Sequence, residues 1–195
     1  GITTLAFLML VSIASAAPYA YITKFNSNTV SVIDTAKNEV TTTIDVGRST
    51  WGVAVNPDGS KMYVTNYLYK GIVSVIDIAT NKVTDLEVGA SPFAIAVAPD
   101  GTKVYVANYD SNNVSIIDTT TNKVTATVDV GSNPKGVAVT PSGTKVYVTN
   151  NVGNTVSVIN TATNMVTDVG VGAGPLGVAV NPAGTKVYVT NNVGN

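Results

Sequence analysis

Short runs of alternating apolar and polar residues cover most of the chain beyond residue 18 and predict β-strands. In the run from Lys145 to Asn150, Val146 and Val148 alternate with larger or polar side chains, which is the period of a half-buried strand. Segments such as Thr140-Pro141-Ser142-Gly143 separate the runs, because Pro presets φ and Gly accepts a positive φ. β-Branched residues dominate, and no run shows the 3.6-residue apolar period of a helix. The pattern therefore predicts an all-β chain.

The strand pattern repeats along the chain. Equivalent tyrosines recur with spacings of 42, 42, 42 and 41 residues, at Tyr21, Tyr63, Tyr105, Tyr147 and Tyr188. Each unit contains four strand-like segments, which we call A (GVAV), B (YVTN), C (VSVID) and D. In one unit we expect A at 136–139, B at 145–150 and C at 155–160, with D opening at 165–167. Four antiparallel strands in about 42 residues match one blade of a β-propeller.

The repeated phrases YVTN, NTVSVID, GVAVNPDG and GTKVYVTN resemble the YVTN family of β-propeller repeats, over residues 19 to 195. The resemblance implies a propeller that usually has seven blades. It also implies an extracytoplasmic protein, of the kind found in archaeal surface layers or among secreted and periplasmic bacterial proteins. Further domains often flank such repeats. Because proteins of unrelated activity share this fold, the resemblance says more about architecture than about function.

The number of strands predicts a partial propeller. The repeats begin in a B segment at Tyr19 and end with an A at 177–180 and a B at 186–191, which gives about four to four and a half blades. Seven blades would need about 290 residues. We therefore expect residues 18–195 to be part of a larger propeller. The alternatives are a four-bladed ring and a homo-oligomer whose partial propellers complete one another.

The first segment predicts export. Residues 2–14 read ITTLAFLMLVSIA and are followed by small residues, so residues 1–17 have the shape of a secretory signal peptide. The apolar run is shorter than the roughly 20 residues that a spanning helix needs. The alternative is a buried strand or a packed N-terminal helix. We expect an extracytoplasmic location, with the membrane involved only through export or flanking segments.

Composition excludes several classes of chemistry. The chain has no His and no Cys, so Ser/His/Asp triads, Cys nucleophiles and His/Cys zinc sites each lose a required residue. We predict no metal and no cofactor. Lys and Arg number 11 against 12 Asp and Glu, for a net charge of −1, which argues against a general nucleic-acid binder.

Two sets of repeated polar residues predict local hydrogen bonds. Asn66, Asn108, Asn150 and Asn191 follow strand B, and we expect their side chains to form Asx-type bonds that shape the B–C loops. A second set ends strand C, and we expect its side chains to accept backbone N–H bonds in the C–D hairpins: Asp34, Asp77, Asp118 and Asn160.

Candidate ligand-binding residues lie where the repeat varies. The residue that enters strand A differs in each unit, as Trp51, Phe93, Lys135 and Leu176, and Arg48 precedes the first of them. The B–C loops, which we expect on the same rim, carry Phe25, then Tyr67 and Tyr69, then Tyr109. Aromatic rings beside a few polar groups suit a protein or glycan surface. The predicted set is Arg48, Trp51, Tyr67, Tyr69, Phe93, Tyr109 and Lys135. Alternatively, Trp51 and Phe93 fill the central channel as packing.

Together these features favour a non-catalytic extracytoplasmic binding or structural module, of surface-layer or cell-surface type, with a protein or cell-surface glycan as partner. The first alternative is a propeller-type lyase or lactonase. The similar streptogramin lyases depend on His, which this chain lacks, and Asp110 is the carboxylate nearest the expected rim. The second is a DNA-binding periplasmic propeller, against which the net charge and the scattered lysines argue.

Overall fold

β-Strands form all the regular structure in the part of the chain that the computed structural model describes, residues 19–47, 49–68 and 70–193. The signal-peptide-like segment lies outside these residues. The strands are β1 (Tyr19–Lys24), β2 (Thr29–Asp34) and β3 (Glu39–Asp45) in the first sheet; β4 (Thr50–Val55), β5 (Lys61–Asn66), β6 (Ile72–Asp77) and β7 (Val83–Glu87) in the second; β8 (Pro92–Val97), β9 (Lys103–Asn108), β10 (Asn113–Asp118) and β11 (Lys123–Asp129) in the third; β12 (Pro134–Val139), β13 (Lys145–Asn150), β14 (Thr155–Asn160) and β15 (Val166–Gly170) in the fourth; and β16 (Pro175–Val180) and β17 (Val187–Asn191) in the fifth.

Each sheet is an antiparallel meander in chain order, as the repeat predicts. The register recurs with the repeat, since Tyr63 lies opposite Val75, Tyr105 opposite Ile116 and Tyr147 opposite Val158. Strands B and C have the predicted bounds in the fourth sheet, whereas strand A begins earlier, at Pro134 rather than at residue 136. The added residues belong to a β-bulge, which the apolar alternation does not reveal.

The sheets pack face to face. The A strands β4, β8, β12 and β16 lie beside one another in succession, and β1 packs on β4. Three apolar clusters fill the spaces between the first four sheets. Tyr63 lies between the second and third sheets and Tyr105 between the third and fourth, both fully buried. Burial of these apolar faces is the main source of stability in such an array.

The described sheets form an open, partial propeller. No substantial packing joins β16 or β17 to the first sheet within the described residues. Tyr188 of the fifth sheet is 59% exposed, although Tyr105 at the equivalent position of the third sheet is 1% exposed. None of the described residues forms a helix long and apolar enough to cross a membrane.

The repeated asparagines of strand B do not form the predicted Asx bonds. Their amides point into the sheets, where Nδ2 of Asn66, Asn108 and Asn150 donates to the hydroxyl of Ser74, Ser115 and Ser157 on strand C, at 2.9, 2.9 and 2.8 Å. The three Oδ1 atoms are buried without a hydrogen-bond partner. Nδ2 of Asn108 and Asn150 also donates across the B–C loop, to Oδ1 of Asn113 at 2.8 Å and to the hydroxyl of Thr155 at 2.9 Å. The predicted type of bond was wrong because strand B continues through Asn66, Asn108 and Asn150 and buries their side chains, whereas Asn191 is exposed.

The predicted caps at the end of strand C are confirmed. Oδ1 of Asp34, Asp77, Asp118 and Asn160 accepts a backbone N–H two or three residues later, at 2.7 to 3.0 Å. The hydrogen bonds from the backbone N–H and hydroxyl of Thr121 hold the pKa of Asp118 below its usual value. The last residue of strand C therefore caps the C–D hairpin that follows it.

Candidate functional site

A β-bulge at the start of each A strand presents the residues that vary between units. Thr50 pairs with Asn66 and Val53 with Val64, so that Trp51 and Gly52 together oppose Thr65. The same shift recurs in the other A strands and places Phe93, Lys135 and Leu176 at the bulge. A bulge bends the strand and redirects a side chain. The side chains of Trp51 and Phe93 therefore turn toward the B–C loop of the preceding sheet.

Five aromatic side chains from three sheets and the loops between them form one cluster, which we call the aromatic rim: Phe25, Trp51, Tyr67, Phe93 and Tyr109. The Trp51 and Phe93 ring centroids are 4.5 Å apart, and those of Phe25 and Trp51 are 5.8 Å apart, edge to face. The rings of Tyr67 and Phe93 are 5.5 Å apart, and Tyr109 lies 6.3 Å from each of them. Each B–C loop ring therefore packs beside the bulge residue of the next sheet.

Lys135 ends the row of rings. Its Nζ lies 5.8 Å from the centroid of Phe93 and 5.5 Å from that of Tyr109, within the range of a cation–π contact. Loss of solvent lowers the pKa of Lys135. The structure records one ion pair among the described residues, between Lys37 and Asp34, so Lys135 is not paired with a carboxylate in this part of the chain.

The cluster is partly exposed. Trp51 is 40% exposed, while Phe25, Tyr67, Phe93 and Tyr109 are half-buried against one another. Burial raises the pKa of Tyr67, and the nearby carboxylate of Asp110 raises it further. The Ser91 hydroxyl donates to that carboxylate, so Asp110 already has a partner within the rim.

The threonine of each YVTN segment binds the bulge of its own sheet and the bulge of the next sheet. The hydroxyl of Thr65 accepts the N–H of Gly52 at 2.8 Å and donates to the carbonyl of Phe93 in the next sheet at 2.7 Å. Thr149 makes the same pair of bonds with Gly136 and with the carbonyl of Leu176, and Thr23 donates to the carbonyl of Trp51. We call this arrangement the threonine clamp, and it holds Trp51 and Phe93 by their backbone carbonyls.

The third sheet lacks the clamp. Ala107 stands where the other sheets have threonine, and Ala94 stands where they have glycine. A Cβ on Gly52 would lie 2.8 Å from the carbonyl oxygen of Phe93 in the next sheet and 3.2 Å from the hydroxyl of Thr65. Removing the hydroxyl relieves the second of these contacts, which is the one that the third sheet lacks. Lys135 lies at the bulge of the fourth sheet, and its carbonyl consequently has no threonine donor in the third sheet.

A double-mutant cycle tests the clamp. We expect Thr65→Ala to lower the free energy of unfolding by about 2 kcal/mol, because the Gly52 N–H and the Phe93 carbonyl lose a buried partner. Gly52→Ala alone is expected to destabilise by about 1–3 kcal/mol through crowding. The double variant, which copies the third sheet, should cost about 1 kcal/mol less than the sum. Urea denaturation measures all three, and strictly additive costs would contradict the clamp.

Two aliphatic residues of the same rim were missed by the sequence analysis. Leu68 in the second B–C loop is 65% exposed and Val152 in the fourth is 61% exposed. Leu176, at the bulge of the fifth sheet, is also exposed. The signal was available, since Val152 interrupts an otherwise polar B–C loop and Leu68 lies between two candidate tyrosines, but only aromatic and charged side chains entered the predicted set. Phe25, noted in its loop but left out of the predicted set, belongs to the aromatic rim.

Of the predicted set, the structure brings together Trp51, Tyr67, Phe93, Tyr109 and Lys135. Arg48 and Tyr69 lie outside the described residues. That the five form a ligand-binding site stays a prediction.

Among the described residues, no group of three or more acidic, His or Cys side chains could hold a metal ion. A separate cleft lies between the first two sheets and is lined in part by Tyr19, Tyr21, Ile44 and Ile78.

Comparison with known proteins supports the propeller architecture. The family described as "Lactonase, 7-bladed beta-propeller" matches residues 19–130, more than half of the chain. No curated protein sequence matches the chain. Among solved structures, the hydrazine synthase of Kuenenia stuttgartiensis is similar, with a TM-score of 0.83 and 26% sequence identity, over 88% of this chain and 51% of that one.

A second solved structure agrees. A functionally unknown protein from Desulfotomaculum acetoxidans DSM 771 has a TM-score of 0.80 and 20% identity, over 94% of this chain and 62% of that chain. The chain thus spans between half and two thirds of the length of each of these two structures. These likenesses confirm the predicted all-β propeller built from four-stranded blades.

Proposed function

Because the chain belongs to the lactonase family of seven-bladed β-propellers, we propose a function that uses this architecture as a rigid support: a non-catalytic, extracytoplasmic module that recognises a partner protein or a cell-surface glycan. The aromatic rim is the recognition surface. The location rests on the apolar segment 2–14 and on the resemblance to YVTN repeats, and a surface layer is one setting that fits both.

One observation carries the proposal: five rings from three neighbouring sheets converge on the loops that differ between otherwise similar units. Rings of this kind contribute large contact areas at low entropic cost and are enriched at recognition surfaces. Packing of the central channel explains part of their burial. It does not explain why Trp51 remains 40% exposed while its ring centroid lies 4.5 to 6.1 Å from those of three other rings.

Binding that depends on Trp51 tests the proposal. The whole chain is screened against a random dodecapeptide display library and against an array of neutral, amino and acidic oligosaccharides. For the retained ligands we expect Trp51→Ala to weaken binding by about 10- to 30-fold, as for the central residue of an interface. Tyr188→Ala, which removes an exposed aromatic side chain outside the rim, should leave binding unchanged. Ligands that bind both variants equally, or no retained ligand at all, would contradict the proposal.

The family match favours a second candidate function, a lactonase. The chain would then need a general base or an electrophile near the rim, where Asp110 is bound by Ser91. Hydrolysis of glucono-δ-lactone by the purified chain, followed by acid release, measures this directly. A rate above the uncatalysed one that Asp110→Asn abolishes and Trp51→Ala only reduces would favour the enzyme over the binding module.

A further inference from the structure

Exposed aliphatic side chains extend the row of the aromatic rim and favour a protein partner over a glycan. Leu68 lies in the same B–C loop as Tyr67, while Val152 and Leu176 lie on the equivalent loop of the fourth sheet and the equivalent bulge of the fifth. Aliphatic surface gains by burying other apolar side chains, whereas the hydroxyl groups of a saccharide need hydrogen-bonding partners. A contiguous apolar patch with polar surroundings is typical of protein–protein interaction sites.

Lys135 gives this patch a charge that no carboxylate of the described residues neutralises. Its Nζ faces the rings of Phe93 and Tyr109 rather than a carboxylate of the described residues. Asp110, whose carboxylate lies near Tyr67, accepts a hydrogen bond from the Ser91 hydroxyl. A half-buried ammonium group that has lost part of its solvation without gaining an anion favours a ligand that brings one.

The backbone at Lys135 is also held differently from that of the other bulges. The carbonyls of Trp51, Phe93 and Leu176 accept a threonine hydroxyl, but Ala107 offers none to Lys135. The Lys135 bulge keeps one threonine hydrogen bond, in which Thr149 accepts the Gly136 N–H, whereas the Trp51 and Leu176 bulges each have two.

We propose that the aromatic rim docks an acidic segment of a partner protein, in which an Asp or Glu carboxylate pairs with Lys135 and a neighbouring apolar side chain packs on Trp51 and Phe93. This inference rests on the proposed function, since it names the partner of the same surface. The aromatic rings supply the contact area, and Lys135 supplies the selectivity for charge.

Charge reversal at Lys135 tests the inference. The whole chain, its Lys135→Glu variant and its Lys135→Gln variant are panned separately against the same random dodecapeptide display library. Lys145→Glu is the matched control, because Lys145 is exposed and begins β13, whereas the rim lies where β13 ends. Thermal unfolding of each variant verifies that it folds. If Lys135→Glu does not fold, Lys135→Gln still tests the role of the charge.

We expect the unaltered chain and Lys145→Glu to select peptides with Asp or Glu next to Trp, Phe or Leu. Lys135→Glu should select Lys or Arg instead, and Lys135→Gln should bind the acidic peptides about tenfold more weakly. Peptides that need Trp51 but show no acidic preference would overturn this inference and leave the proposed function standing. A Trp51-dependent glycan with no Trp51-dependent peptide would also overturn it. If neither library contains a Trp51-dependent ligand, the proposed function itself fails.

Discussion

Replacement of Tyr105 by alanine is expected to lower the free energy of unfolding by about 3–5 kcal/mol, the range for deleting a large aromatic side chain from a core. Tyr105 is 1% exposed and lies between the third and fourth sheets, in the cluster that contains Val146, Val148 and Ile159. The cavity cannot collapse without moving one sheet against the other. Urea denaturation followed by far-ultraviolet circular dichroism measures the loss.

The repeat supplies a matched control for this substitution. Tyr188 occupies the equivalent position of the fifth sheet but is 59% exposed, so Tyr188→Ala should change stability by less than about 0.5 kcal/mol. The same substitution in nearly the same local sequence, KVYVAN against KVYVTN, thus separates burial from strand propensity. Equal losses at the two positions would contradict the face-to-face packing of the sheets.

Gly136→Ala is expected to destabilise the chain by about 3 kcal/mol, at the upper end of the cost of overpacking. A Cβ at this position would lie 2.5 Å from the carbonyl oxygen of Leu176 in the next sheet and 2.9 Å from the hydroxyl of Thr149. The first of these is backbone and cannot rotate away. The fourth and fifth sheets would have to separate where their A strands approach most closely.

Gly170→Ala is the control for Gly136→Ala. No atom would lie within 4 Å of a Cβ at Gly170, at the end of β15. Alanine there should be neutral or should stabilise by about 0.5–1 kcal/mol, because it restricts the unfolded chain. Thermal unfolding of the two variants gives the comparison. A Gly136→Ala variant as stable as Gly170→Ala would show that the A strands do not approach so closely.

Strands and sheets could be predicted from the sequence because each unit repeats the same alternation. The bounds of β13 and β14 follow directly from the runs KVYVTN and TVSVIN, and neighbouring units imply neighbouring sheets. The bulge at Lys135 could not be predicted, since it depends on two residues opposing Thr149 across the sheet. Alternation within one strand carries no information on such a register shift.

The candidate site was predicted in part. The proximity of Trp51 to Phe93, and of Tyr109 to Lys135, follows from placing the varying residues of successive units on one rim. The burial of Asn108 was not foreseen, because an asparagine after a strand more often shapes a turn than continues the strand. The role of Thr65 was also missed, since its hydroxyl joins residues 13 and 28 positions away in the chain.

Trp51 is the only tryptophan of the chain, so its indole N–H gives a single resonance from which nuclear Overhauser contacts can be measured without ambiguity. If successive sheets bring their varying loops into one surface, that indole will show contacts to the ring protons of Phe25, Tyr67 and Phe93, which come from three different parts of the sequence. An indole whose only contacts are to its own strand would contradict the architecture and the recognition surface together.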